Sequence, residues 1–357
     1  MDTKRQKLVA FPIGTENPYI AMLHHEVKSD WDVIEVKGTS ELFSLAASLE
    51  TGDVFHIHWT APIASYASNV HEAELNRSEF RGFLELLLSR GIRILWTVHN
   101  EAAHDSPYPD VERRLAQDLA ECSDLIIQLH NETVSALKGS VDLPRCKLRT
   151  LPHCSYLGVY PDGKSSAKAR KELGVPPNGK VVGFIGQLRG YKGLDTLFRA
   201  VDIAAETTPD LVLLVAGQLN PSIANSFHKS LPKRVRVISQ FERIADSEMW
   251  MWFRACDAIA LPYRRVLNSG TLILAAGFGR PVIVPDDTPL AAVYRDQRWV
   301  YSYSSHRNEA MGLASRISSI CPLPLEDYSA AREFAWGRPA SEMASGYRAI
   351  VRQFRRF

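Results

Sequence analysis

Two short stretches hold the residues whose types and spacing suit chemistry on a phosphate. In Tyr263-Arg264-Arg265-Val266-Leu267-Asn268-Ser269-Gly270-Thr271 a polar turn leads into the apolar run Leu272-Ile273-Leu274-Ala275-Ala276. Asn268, Ser269, Gly270 and Thr271 fall where a helix begins, so free backbone N–H groups, short hydroxyls and the positive end of the helix dipole meet at one point. Such a point holds a phosphate. Ser and Thr also cap helices that bind nothing, so a second phosphate signal has to decide. It lies upstream, in Gly186-Gln187-Leu188-Arg189-Gly190-Tyr191-Lys192-Gly193, directly after the apolar run Val181–Ile185. Gly186 lets a ligand approach the backbone. Arg189 offers a planar fork and Lys192 a point charge, a pairing suited to clamping a diphosphate that leaves with negative charge.

The first half of the chain carries proton carriers instead. His56-Ile57-His58-Trp59 and His99-Asn100-Glu101, with His104-Asp105 just beyond, follow apolar runs and should stand at strand ends. A cluster of titratable groups facing a phosphate site is suited to acid–base work. The histidines lack the H-x-x-x-H or H-E-x-x-H spacing of helix-borne zinc ligands, so no metal is expected.

These residues need a scaffold that brings strand ends together. Short β-branched runs alternate with helical patterns almost throughout, the mark of two α/β units built on parallel sheets. Strands are expected at Leu8–Pro12, Trp31–Val36, Val54–Trp59, Ile92–Val98, Leu125–Leu129 and Leu148–Leu151, then at Val181–Ile185, Leu211–Val215, Val235–Ile238, Ala258–Leu261 and Pro281–Val284. Helices are expected over Leu194–Ala205, Ser247–Ala255 and Gly270–Phe278, with one long amphipathic helix closing the chain from Ala340 to Phe357. The turn-rich stretch Tyr160-Pro161-Asp162-Gly163-Lys164-Ser165-Ser166 marks the hinge, giving domains 1–160 and 161–337. Doubly wound domains bind at the carboxyl ends of their strands, and two facing domains make a cleft.

Composition bounds the partners. At 357 residues, with 45% hydrophobic and 23% charged residues, the chain suits two soluble domains. A net charge of +2 and the lack of a basic tract argue against nucleic acid. No stretch approaches the ~20 apolar residues of a membrane span, and the N-terminus is not a signal-peptide core, so a cytoplasmic location is expected. Cys122, Cys146, Cys154, Cys256 and Cys321 are odd in number and scattered, and all five read as reduced structural thiols. Phe80–Arg90 and Tyr347–Phe357 mix apolar residues with cations, as a peripheral membrane surface or a core-facing helix would.

Gly186 to Gly193, Leu261-Pro262-Tyr263-Arg264 and Asn268-Ser269-Gly270-Thr271 resemble the nucleotide-sugar glycosyltransferases of the GT-B fold. Asn17-Pro18-Tyr19, Asp53-Val54-Phe55-His56-Ile57-His58-Trp59 and Thr97-Val98-His99-Asn100, followed by His104-Asp105, are similar to the bacterial GDP-mannose:glycolipid β-mannosyltransferases of exopolysaccharide assembly. The resemblance runs from Asn17 to Trp336. It implies two Rossmann-like domains facing across a cleft, with the closing segment 338–357 crossing back onto the first domain. It implies a nucleotide-sugar donor, GDP-mannose, a lipid-linked glycan acceptor, and no metal or other cofactor. The donor would lie against Gly186, Arg189, Lys192, Gly217, Tyr263, Asn268, Ser269, Gly270 and Thr271, its base near Gly217 and Phe241-Glu242-Arg243. Acceptors would meet the loops Ala61–Asn76 and Ala102–Asp110.

One departure bears on stereochemistry. Retaining GT-B enzymes carry Glu-x7-Glu here, but Val266 and Leu274 stand at those positions. The resemblance to the glycolipid β-mannosyltransferases, with that pair absent, implies inversion, a single displacement in which a base takes the acceptor proton as the nucleoside diphosphate leaves. Asp105 is the expected base, with Glu101 and His58 behind it, and His99 would contact the donor sugar or stabilise developing charge. Other readings are a retaining transferase using a UDP-sugar, a UDP-sugar epimerase and a non-catalytic nucleotide-sugar binder. A nicotinamide dehydrogenase is disfavoured because Phe11-Pro12-Ile13-Gly14-Thr15-Glu16-Asn17 lacks G-x-G-x-x-G.

Overall fold

A computed structural model of the chain describes residues 5–14, 17–100, 106–163, 165–319 and 323–356. The chain divides into two units, residues 1–154 with 340–357, and residues 155–339.

The first unit is built on β1 (Lys7–Phe11), β2 (Asp32–Glu35), β3 (Val54–Ile57), β4 (Arg93–Val98), β5 (Leu125–Gln128) and β6 (Leu148–Thr150). They form one sheet in the order β2-β1-β3-β4-β5-β6, and every pairing is parallel. β3 and β5 are buried along their whole length, as strands covered by helices on both faces must be. Carboxylates complete the strand starts: Asp53 accepts the backbone N–H of Lys7 at 2.8 Å and Asp124 that of Ile94 at 2.8 Å. The closing helix Ala340–Val351 belongs to this unit, with Met343, Tyr347, Ile350 and Val351 in its core. The expected single helix to Phe357 instead tightens into a 3-10 turn at Arg352–Arg356.

The second unit is built on β7 (Lys180–Ile185), β8 (Leu211–Ala216), β9 (Arg236–Gln240), β10 (Ala258–Ala260), β11 (Val282–Pro285) and β12 (Val300–Tyr303). The order is β12-β11-β10-β7-β8-β9, again all parallel. Counted from β7, this is the doubly wound order 3-2-1-4-5-6, whose connections change direction between its first and fourth strands, here β7 and β10. The α/β class with two parallel sheets is as expected. β12 was not expected. It is a half-exposed edge strand, so it lacks the continuous apolar run that marked the others.

Both basic apolar segments pack inward: Phe80, Phe83, Leu84 and Leu87 are buried, as are Tyr347, Ile350, Val351 and Phe354. Leu86 and Leu88 remain exposed on the outer face of the helix Val70–Ser89. Among the described residues no helix is long and apolar enough to cross a membrane. Cys122, Cys154 and Cys256 are buried, and burial pushes the Cys154 thiol up to about 12. Cys146 corrects the expectation of a structural thiol, because it is exposed. Cys321 lies outside the described residues.

Candidate active site

In the second unit the expected phosphate residues meet at the switch between β7 and β10. Gly186 follows β7 with φ 135°, a backbone shape that side-chain-bearing residues rarely take. A Cβ there would lie 3.3 Å from Thr271 Oγ1 and 3.8 Å from Lys192 Nζ. The missing side chain thus leaves a hydroxyl and an ammonium aimed at one backbone position. Gly217, after β8, backs it, since a Cβ on Gly217 would overlap the carbonyl oxygen of Gly186.

The helix Gly270–Gly277 begins beside them. Ser269 is its cap, Oγ accepting the Leu272 N–H at 3.2 Å. Gly270 lies against Tyr156, whose hydroxyl would be 3.2 Å from a Cβ there. Lys192 is buried, with Nζ 5.3 Å from the centre of the Tyr263 ring. Burial pushes the Tyr263 phenol up to about 12, and the nearby Thr271 and Ser269 hydroxyls draw it partly back. Tyr263 therefore stays neutral, a wall for the ammonium and no proton donor of note at neutral pH. Arg189 is half-buried at the start of the 3-10 turn Gly190–Lys192, and Asn268 is half-buried ahead of the cap. Arg264 is exposed and held at 2.6 Å by Asp195. Val266 and Leu274, expected where retaining enzymes carry glutamates, are apolar and at least half-buried. Near the expected nucleobase region, Phe241 stands edge-on to Phe227 at 5.1 Å and to His228 at 5.3 Å, with Glu242 and Arg243 exposed.

In the first unit β1 and β3 flank the switch, and the residues after β3 and β4 carry the histidines. His99 is 9% exposed. Trp59 stacks on its ring at 4.5 Å and 18°, and Tyr19 meets it edge-on at 5.4 Å. His58 Nδ1 lies 3.2 Å from His99 Nε2. Burial, with the charge of His153 adding to it, pushes His99 down to about 3. It is a neutral ring, able to hydrogen-bond and weak as a base. His58, expected behind Asp105 as a base, is 1% exposed, and burial holds it well below its usual range. Within the site its Nδ1 faces His99 Nε2. Glu101, His104 and Asp105 lie outside the described residues.

Sequence reasoning missed Glu112. It sits in the first turn of the helix Pro109–Cys122, is 1% exposed, and accepts Thr60 Oγ1 at 2.6 Å and Ser65 Oγ at 2.5 Å. It fastens the segment after Trp59 to the helix Pro109–Cys122. An acidic residue in a helix's first turn is too common a signal to single it out.

Residues 179–321 match the family described as glycosyl transferases group 1. The chain carries a group 1 glycosyltransferase domain. That domain contains every expected donor residue, from Gly186 to Thr271. Over 325 residues the chain is 24% identical to the GDP-mannose:glycolipid 4-beta-D-mannosyltransferase of Xanthomonas campestris pv. campestris, covering 89% of this chain and 85% of that protein. It is 24% identical over 278 residues to the D-inositol 3-phosphate glycosyltransferase of Corynebacterium glutamicum, covering 72% of this chain and 66% of that protein. Among solved structures, Anabaena Alr3699/HepE in complex with UDP and glucose is similar with a TM-score of 0.70 and 14% identity, over 99% of this chain and 100% of that one. A glycosyltransferase from Rickettsia africae is similar with a TM-score of 0.66 and 13% identity, over 98% of each chain. The likeness shows the GT-B fold, which the motifs implied.

Proposed function

We propose that this glycosyltransferase transfers mannose from GDP-mannose to a lipid-linked oligosaccharide, with inversion at the anomeric carbon. The convergence of Lys192 Nζ and Thr271 Oγ1 on the bare backbone of Gly186, beside the capped start of the helix Gly270–Gly277, carries this reading. One cation, one hydroxyl and a helix N-terminus suit a diphosphate that gains charge as it leaves. With Arg189 they supply the countercharge from the chain itself, so the reaction is proposed to need no metal. The mannose and lipid-linked acceptor rest on the printed name of the Xanthomonas relative. Inversion rests on the apolar side chains of Val266 and Leu274 where retaining enzymes carry glutamates.

The proposed base is Asp105, with Glu101 as the substitute. The low basicity of His99 and the burial of His58 leave a carboxylate as the better acceptor of the sugar hydroxyl's proton. His99 would then hold the donor sugar. The exposed Leu86 and Leu88 are the proposed contact with the membrane that carries the acceptor, at its cytoplasmic face.

The first experiment is calorimetric titration of the chain with GDP, UDP and ADP, beside a variant carrying Arg189→Ala and Lys192→Ala. Preferential GDP binding, lost in the variant, is expected. Preference for UDP, the nucleotide in the Anabaena complex, would keep the transferase and discard mannose as the sugar. Binding unchanged in the variant would remove the diphosphate clamp.

A further inference from the structure

The core of the first unit holds a group of histidines apart from the donor residues. His56 on β3 and His58 just beyond it are two residues apart, so their rings share one face of the sheet, with centroids 3.9 Å apart. His24, at the end of the helix Pro18–His24, faces them with its ring 6.1 Å from that of His58. Each of the three offers a ring nitrogen, and those three atoms lie within 4.8 Å of one another. His24 and His56 are 0% exposed and His58 is 1% exposed.

Two of these rings have a nitrogen with nothing to bond among the described residues. There, Nε2 of His24 and Nε2 of His58 meet no hydrogen-bond partner although both are buried, an arrangement that costs a fold free energy unless something satisfies it. The opposite nitrogens are engaged: His24 Nδ1 lies 3.4 Å from Glu35 Oε1, and His58 Nδ1 lies 3.2 Å from His99 Nε2. A carboxylate beside Nδ1 is the outer partner that orients a metal-bound imidazole, with Nε2 turned to the ion. Burial keeps His56 and His58 neutral, the ligating form.

We propose that His24, His56 and His58 form a site for one zinc ion. Three imidazoles are an established zinc ligand set, and Zn–N distances of about 2.0–2.1 Å would draw the three nitrogens in from their present spacing of up to 4.8 Å. His56 has Tyr347 Oη 2.7 Å from Nδ1 and Thr97 Oγ1 2.8 Å from Nε2. One of the two yields to the ion and the other then orients the ring. Glu35, behind His24, offsets part of the charge. The ion would tie the helix Pro18–His24 to β3 and, through His58, hold the Nδ1 proton towards His99. The site does not depend on which donor or acceptor the enzyme uses.

The test is titration of the chelator-stripped full chain with zinc chloride against a chromophoric competitor, with Co2+ as a visible probe of coordination. About one equivalent should bind, Co2+ should give the intense visible bands of a tetrahedral centre with three imidazoles and a water, and His24→Ala should weaken binding by roughly 100-fold. Saturating zinc should also raise the wild-type melting temperature, a readout that needs no variant to fold. Substoichiometric binding, or a melting temperature unmoved by zinc, overturns the proposal. So does binding equal in wild type and His24→Ala, which would put the ion at exposed groups such as Cys146, His25 or His71.

Discussion

Oγ1 of Thr271 stands 3.3 Å from the place a Cβ would take on Gly186, so only the missing side chain separates the helix start from the end of β7. Gly186→Ala should therefore do two things at once. Holding alanine at φ 135° costs about 1–3 kcal/mol of folding stability, read as a lower urea midpoint. The added methyl also enters the space proposed for the diphosphate, and nucleotide affinity should fall at least tenfold by calorimetry. A folded variant that bound nucleotide as well as wild type would take Gly186 out of the donor site.

Ser269 separates capping from phosphate binding. Its Oγ accepts the Leu272 N–H at 3.2 Å, so Ser269→Ala should lose about 1 kcal/mol of stability. Ser269→Asp keeps an acceptor for that N–H and favours the helix dipole, yet places a negative charge where the diphosphate is proposed to sit. Stability close to wild type with nucleotide binding abolished is the expected pair of results. Retained binding in Ser269→Asp would show that the helix start holds no phosphate.

The site was legible where a local pattern produced it. A strand ending in glycine and a helix starting in Asn-Ser-Gly-Thr are short-range signals, and Gly186, Lys192, Ser269 and Thr271 converge because β7 and β10 are neighbours in the sheet. Gly217 is expected against the donor only through the resemblance, not through a local pattern of its own. Its close packing on the Gly186 carbonyl depends on β8 lying beside β7, a long-range fact that no local pattern encodes. The histidines divide in the same way. H-x-H at His56 and His58 is the strand's own two-residue period, unlike the spacing of helix-borne ligands, and His24 joins them only through the packing of its helix. Strand β12 escaped because an edge strand needs no apolar run.

The buried histidines make the first unit sensitive to acid. Burial lowers His56 and His58 far below the 6.5 of a free histidine, so below that pH the unfolded chain takes up protons that the folded chain refuses. Their contribution is present above 6.5 and lost as pH falls, with a slope approaching about 1.4 kcal/mol per pH unit for each ring. Urea unfolding in metal-free buffer should show this decline between pH 7 and pH 5. His56→Asn should be less stable at pH 7, having disturbed the bonds to Tyr347 and Thr97, and should also show a shallower decline. An equally steep decline in the variant would assign the acid sensitivity elsewhere.

Asp30 gives a second pH dependence, in a lower range. Arg348 binds it through Nε at 2.7 Å and Nη2 at 2.9 Å, and Arg352 Nε adds a third bond at 2.8 Å, which fixes the closing helix to the first unit. These bonds, those of Arg348 first, hold its carboxyl well below the ordinary 3.8 against the opposing effect of burial. The stabilisation is therefore complete above the unfolded value and disappears only as pH falls below 3.8 towards the folded one. Asp30→Asn should lower the unfolding free energy by about 1–2 kcal/mol at pH 7, since the asparagine accepts fewer bonds and leaves both guanidiniums uncompensated. That deficit should stay constant down to about pH 5 and narrow below pH 4, as wild-type Asp30 itself becomes protonated. A deficit that instead grew in acid would mean that the carboxylate opposes folding, contrary to its placement between two arginines.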